Sequence, residues 1–204
     1  MKKASILFEL ILIIVLISII YVIFLPKPNT NRLEELKNRI TLYLKQVRYQ
    51  ALIDDKYDEE EALWHKRRWT MKFFRCRESV GGIYFSIYSE KNDTGQPNQK
   101  ESLKDPLTNK YIYNNNYCKE SLENSKYTLL TKNYDIKTVE ISCNSTDSLG
   151  QISFGNDGRV YSKLSNFTNE QYAYEIKTPC KMKFIANNNK FIEVEISSKT
   201  GFVE

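Results

Sequence analysis

The chain opens with an apolar run that one acid interrupts. Residues 5–25 are almost entirely apolar, and Glu9 is their only charged residue. At about 1.5 Å per residue such a helix spans roughly 30 Å, which matches a bilayer core. The pattern predicts a transmembrane helix over residues 5–25. A carboxylate inside such a helix costs about 2.5–3.5 kcal/mol at the bilayer centre, so Glu9 is expected to find a partner on another subunit.

A second pattern follows over residues 26–55. Apolar residues recur every three or four positions and form one stripe, at Leu33, Leu36, Ile40, Leu44, Val47 and Ala51. Glu34 and Glu35 lie where a helix favours negative charge, in the first turn. The pattern predicts an amphipathic helix that continues the stalk and packs on the rest of the protein.

Residues 56–204 change to short segments rich in β-branched and aromatic residues, which predicts strands. The segments are Trp69–Phe74, Gly82–Tyr88, Tyr127–Thr131, Thr138–Cys143, Gln151–Phe154, Tyr172–Thr178, Lys181–Ala186 and Phe191–Ile196. Asn187–Asn189 suits a hairpin turn between the last two, and Glu90–Asn116 reads as a long polar loop. Successive short strands favour an antiparallel sheet. The predicted fold class is α+β, with a long N-terminal transmembrane or stalk helix packed on an antiparallel β-sheet head.

The first ten residues resemble a known leader. Lys2-Lys3-Ala4, followed by Ser5-Ile6-Leu7-Phe8-Glu9-Leu10, is similar to the prepilin leader of type IV pilins and type II secretion pseudopilins. The resemblance implies a leader over residues 1–4, cleavage between Ala4 and Ser5, N-methylation of Ser5, and an assembly role for Glu9. The family usually has Gly where this chain has Ala4, and Phe where it has Ser5.

Two later segments resemble the minor pseudopilins of the secretion H and pilus T types. They are Gln151–Phe154 leading into Gly158-Arg159, and Phe191–Ile196 leading into Thr200-Gly201. The resemblance implies a structural subunit of a periplasmic filament, either for secretion or for DNA uptake in natural transformation. The implied partners are other pilin or pseudopilin subunits, the prepilin peptidase, the inner-membrane assembly platform and the lipid bilayer. The implied location is the bacterial inner membrane, single-pass, with a cytoplasmic N-terminus and a periplasmic head.

Other interpretations of the N-terminal run stay open. A secretory signal peptide has a shorter apolar core and a cleavage site after it, which Leu25-Pro26-Lys27-Pro28 does not offer. A plain membrane anchor explains the length of the run but not Glu9. The alternative function is a membrane-tethered periplasmic domain that binds a ligand without polymerising.

Four cysteines lie beyond the apolar run, at Cys76, Cys118, Cys143 and Cys180. Their spacings match no zinc motif and no redox pair, and an oxidising compartment favours disulfides. Three pairings are open. We favour Cys76–Cys118, which would secure the long loop, and Cys143–Cys180, which would join two strand ends.

A basic patch stands out in a chain whose net charge is +5. Trp64 and Trp69 flank the run His65–Arg68, and strand alternation leaves Lys66, Arg67, Arg68 and Lys72 as an exposed cluster. Cations bind phosphates and rings stack on bases, so DNA contact is one hypothesis. The alternative is an ordinary solvated face, partly neutralised by the acids between Asp54 and Glu61.

The remaining chemistry is sparse. Glu90-Lys91-Asn92-Asp93-Thr94 matches an extended acidic sequon, which makes Asn92 a candidate for N-glycosylation. His65 is the only histidine, and no nucleophile or metal-ligand motif accompanies it. We therefore expect no catalytic residues, no metal and no cofactor, and a protein that is not an enzyme.

Overall fold

The computed structural model describes residues 9–18, 32–91 and 96–204. The chain divides into two compact units, Met1–Arg32 and Leu33–Glu204. The second unit is an α+β fold with two antiparallel sheets.

The helices are few. Residues 9–18 are helical, helix α1 spans Arg32–Ile53, and the short helix α2 spans Leu130–Tyr134. Three 3₁₀ turns lie at Trp64–Arg67, Gln99–Glu101 and Lys126–Thr128. Helix α1 lies within the predicted amphipathic segment, residues 26–55, and its apolar stripe is buried from Leu36 to Ala51. The prediction that it continues a long N-terminal stalk helix is wrong for the part of the chain that the structure describes.

The prediction of a long N-terminal transmembrane helix is wrong for the part of the chain that the structure describes. None of the helices there is both long enough and apolar enough to cross a bilayer. Residues 9–18 rise about 15 Å, half of a bilayer core, and α1 is amphipathic rather than apolar. The same finding contradicts the predicted single-pass location in the inner membrane. Residues 5–8 and 19–25 of the predicted span lie outside the described residues.

The head contains two sheets where the sequence predicts one. The first has the order β2-β1-β4-β5 and the second the order β3-β6-β7, with every pair antiparallel. The strands are β1 Trp69–Arg75, β2 Ile83–Tyr88, β3 Ile136–Ile141, β4 Gln151–Phe154, β5 Val160–Tyr161, β6 Cys180–Ala186 and β7 Phe191–Ile196.

Two strand predictions are wrong and one strand was not predicted. Tyr127–Thr131 forms the end of a 3₁₀ turn and the start of α2, with the Thr131 hydroxyl donating to the Ile136 carbonyl at 2.6 Å. Tyr172–Thr178 lies mostly in turns and pairs only through a single bridge between Glu175 and Tyr161. That bridge adjoins β5, whose two residues are too few for a periodic pattern.

One hydrophobic core joins α1 to both sheets. The Tyr43 ring of α1 lies 5.9 Å from the Phe85 ring of β2, and the Phe73 ring of β1 lies 5.8 Å from the Phe184 ring of β6. A buried polar contact fixes the helix: the Tyr43 hydroxyl donates to the carboxylate of Asp105 at 2.9 Å. The core therefore rests on contacts between residues far apart in sequence.

Candidate functional site

The helical residues 9–18, which we call the apolar segment, expose nearly all of their apolar side chains. The eight residues Leu10–Ile17 are each 50–60% exposed, and Glu9 is exposed beside them. An α-helix satisfies its interior backbone hydrogen bonds, so the groups of this helix that lack a partner are its apolar side chains. Contiguous exposed apolar surface marks an interaction site. The segment is therefore a candidate surface for assembly.

Three residues of the predicted sites lie outside the described residues. They are the cleavage pair Ala4 and Ser5, the latter also the predicted methylation site, and the glycosylation candidate Asn92. Glu9 is described, and it is the first residue of the apolar segment.

Both disulfides are present, in the pairing that the sequence favours. Cys76 bonds Cys118 and Cys143 bonds Cys180, across 42 and 37 residues. The first connects the end of β1 to the long loop, and the second connects the end of β3 to the start of β6. Loops of this length contribute about 4 kcal/mol each in the chain-entropy account, and such bonds form in oxidising compartments.

The members of the predicted basic cluster lie in different surroundings. Arg68 is buried rather than exposed. Only 4% of Arg68 is accessible. Its guanidinium carbon lies 3.9 Å from the centroid of the Tyr161 ring and 5.0 Å from that of Trp64. Nη1 donates to the Gln171 carbonyl at 2.6 Å. Arg68 therefore holds two parts of the fold together.

Arg67 is also engaged within the chain. Its Nη2 donates to the Glu61 carboxylate at 2.8 Å, so one of the preceding acids neutralises it, as the alternative interpretation expects. Arg67 lines a different cavity from the one that Lys66 and Lys72 share.

Lys66 and Lys72 meet a third cation, Lys163, in a cavity of about 400 Å³ that we call the lysine cleft. A buried carboxylate, Glu90, also lines it. The other lining residues are mostly neutral and polar: Tyr88, Thr146, Ser148, Gln151, Leu164 and Asn166. Burial lowers the pKa of Lys72, and the charge of Glu90 opposes that shift. Three of the lining residues are thus lysines and one is a glutamate.

Residues 162–176, which we call the strap, close one side of this region. The strap is held at both ends, because Ser162 N–H donates to the Tyr174 carbonyl at 3.0 Å and Ile176 N–H to the Val160 carbonyl at 2.9 Å. Near its start, His65 Nε2 lies 3.0 Å from the Ser165 carbonyl. Since a carbonyl only accepts, Nε2 carries the proton.

His65 is thus a structural contact with a constrained charge state. It is 1% exposed, and its Nδ1 has no hydrogen-bond partner among the described residues. Burial lowers the pKa of His65, and the nearby charges of Arg68 and Lys66 lower it further. The neutral imidazole therefore belongs to the folded state.

Sequence reasoning missed Lys163, Tyr161 and Gln171, which complete these sites. They lie some 90–100 residues from the basic patch along the chain. The patterning around Lys163 gives no signal, because its turn-rich strap lacks periodicity. The partners of β1 are set by long-range pairing.

The described residues contain no group of three or more side chains placed to hold a metal ion. Comparison with family models, curated proteins and solved structures finds no match to this chain.

Proposed function

We propose that the protein is a minor pseudopilin, a structural subunit of a type II secretion or type IV pilus-like filament. The observation that carries the proposal is the apolar segment, whose eight apolar side chains are half exposed along a helix. Burial of apolar surface contributes about 25 cal/mol per Å², so contact with helices of other subunits would be strongly favourable.

The leader resemblance supports the same proposal. Lys2-Lys3-Ala4 precedes the apolar run, and Glu9 is the only charge within it. Cleavage after Ala4 would create an amino group on Ser5. That amino group on one subunit would pair with Glu9 of the next, and pairing removes the cost of enclosing a lone carboxylate among apolar side chains.

The two disulfides support a place outside the reducing cytoplasm. Disulfides persist in oxidising compartments such as the bacterial periplasm. Both lie in the compact unit Leu33–Glu204, which therefore would fold where pilin-like filaments are built.

The decisive test of processing is the intact mass and N-terminal sequence of the native chain, with and without the prepilin peptidase. We expect a mature chain that begins at Ser5 only when the peptidase is present. A chain that still begins with Met1 in both cases contradicts the proposal.

Assembly is tested by chemical crosslinking of the full-length chain in its native host. We expect Leu12→Asn to lose crosslinks to other subunits, because it places an amide in the apolar segment. The matched control is Leu122→Asn, since Leu122 is an exposed leucine of the compact unit at 91% accessibility. Equal crosslinking in both variants would exclude the apolar segment as the assembly surface.

The lysine cleft favours a second candidate function, a ligand-binding domain that does not polymerise. Such a domain needs neither cleavage after Ala4 nor the carboxylate of Glu9. Glu9→Gln separates the two functions: a filament subunit loses its crosslinks, whereas a ligand-binding domain keeps its activity unchanged.

A further inference from the structure

We infer that the lysine cleft binds the phosphate group of an anionic ligand. Its three cations come from three separate parts of the chain: Lys66 from a 3₁₀ turn, Lys72 from β1 and Lys163 from the strap. Long-range folding thus brings like charges together around an open volume. This inference is independent of filament assembly.

Lys72 and Lys163 are not explained by ion pairs within the chain. Over the ranges that the structure describes, neither forms a salt bridge within 4.0 Å, in contrast to Arg67 with Glu61. Instead, Lys72 Nζ lies 5.3 Å from the centroid of the Phe74 ring and Lys163 Nζ lies 5.0 Å from that of Tyr174. Two half-buried ammonium groups beside one cavity repel each other, and a bound anion would relieve that repulsion.

The neutral lining suits the same ligand. Thr146 and Ser148, in the turn before β4, and Asn166 of the strap place hydroxyl and amide groups around the cavity. The Asn166 amide has donors suited to phosphate oxygens, whereas the hydroxyls of Thr146 and Ser148 are engaged with Asn144 and with each other. Lysine binds phosphate as a point charge with three donors.

The size of the cleft limits the ligand. A volume of about 400 Å³ falls within the usual range for small-ligand pockets. The phosphate could belong to a small free phosphate compound or to a short stretch of a nucleic-acid backbone. Both sources would be recognised by the same chemistry, and the experiment below distinguishes them with two different probes.

The test is calorimetric titration of the full-length chain at low ionic strength with two probes, sodium pyrophosphate and a single-stranded oligonucleotide. We expect the double variant Lys72→Gln/Lys163→Gln to lose at least about tenfold in affinity, since charge-assisted hydrogen bonds to phosphate are among the stronger ones. Lys163→Gln alone should lose about threefold to tenfold in affinity. Because Lys163 lies in the strap, this variant tests the cleft even if Lys72→Gln weakens β1. Lys137→Gln is the control, because Lys137 is an exposed lysine of β3 away from the cleft.

Each outcome decides the inference. Pyrophosphate binding that the cleft variants weaken and Lys137→Gln does not would support it with a free phosphate ligand. Oligonucleotide binding with the same pattern, in the absence of pyrophosphate binding, would support it with a nucleic-acid ligand. No binding of either probe, or equal losses in the cleft variants and the control, would overturn it.

Discussion

The apolar segment and α1 are both helices with many apolar residues, yet they differ in what their own chain provides. In α1 the stripe from Leu36 to Ala51 is almost completely buried, with Ile40, Leu44 and Val47 at 0% exposure. In the apolar segment no described residue is buried. The patterns explain the difference: α1 has one apolar side and a polar side, whereas the segment is apolar on every side.

The contrast teaches that apolar content alone does not decide where a helix belongs. An amphipathic helix finds its complement within one domain, because a single stripe needs a single surface. A helix that is apolar all round needs contact on all sides, which a domain surface alone cannot supply. The following predictions probe this contrast.

The largest difference is expected between two matched truncations, one leucine in α1 and one in the apolar segment. Leu44→Ala should lower the free energy of unfolding of the compact unit by about 2–5 kcal/mol, because it opens a cavity in a packed core. Leu12→Ala should change it by less than about 0.5 kcal/mol, because Leu12 is 50% exposed. Urea denaturation followed by tyrosine and tryptophan fluorescence measures both. Similar losses in the two variants would contradict the contrast.

A smaller effect is expected at the polar contact that fixes α1. Asp105 is fully buried and accepts hydrogen bonds from Tyr43, Thr108 and Ser125, and from the N–H of Leu107. Asp105→Asn replaces an acceptor oxygen by a donor and should cost about 1–3 kcal/mol of unfolding free energy. Asp147→Asn, at an exposed aspartate in the loop before β4, is the control and should cost almost nothing.

The effect of Asp105 also depends on pH. Burial alone would raise the pKa of Asp105, but its four donors, led by the Leu107 N–H, bring that pKa below the ordinary value of 3.8. The folded state therefore holds its proton less tightly than the unfolded state. The stabilisation is present above about pH 3.8 and is lost as the pH falls through the folded pKa. A difference between wild type and Asp105→Asn that stays constant down to pH 2 would argue against this account.

The smallest effect concerns the strap, through His65. Burial holds the pKa of His65 below its ordinary value of 6.5, so the unfolded chain binds this proton more readily than the folded chain. The stabilisation is present above about pH 6.5 and is lost as the pH falls below it. His65→Gln retains a donor for the Ser165 carbonyl without titrating, and it should abolish this dependence in thermal unfolding between pH 7 and pH 5. Because the chain has a single histidine, an unchanged slope in the variant would assign the dependence to other groups.

Much of the fold could be predicted because local patterns fix it. The runs of β-branched and aromatic residues in β1, β2, β6 and β7, the Asn187–Asn189 turn and the stripe of α1 all appear in the sequence, and the structure confirms these elements. Tyr127–Thr131 has the composition of a strand but lies where no neighbouring strand extends to pair with it beyond one bridge at Leu129. Whether a segment forms a strand depends on a neighbouring strand with which it can pair, and the composition of the segment itself does not reveal that neighbour.

The candidate sites show the same limit more sharply. Four neighbouring cations between Lys66 and Lys72 look equivalent in sequence, yet the fold assigns them different surroundings. Arg68 meets the Tyr161 ring and the Gln171 carbonyl, the latter 103 positions away, whereas Lys72 meets Lys163 across the cleft. The cysteines could be paired because both candidate bonds matched predicted local elements. The sequence did not show which of the four cations are buried and which line the cleft, since their contacts depend on where the strap lies.

The order of the cysteines has a consequence for how the protein matures. In each disulfide the partner of a cysteine is the next cysteine along the chain, Cys76 with Cys118 and then Cys143 with Cys180. A polypeptide that emerges from its N-terminus presents these thiols in the same order. Simple oxidation of each pair as it appears gives the native bonds, with no mispaired intermediate to reshuffle. We therefore expect an oxidant to form both bonds without a disulfide isomerase.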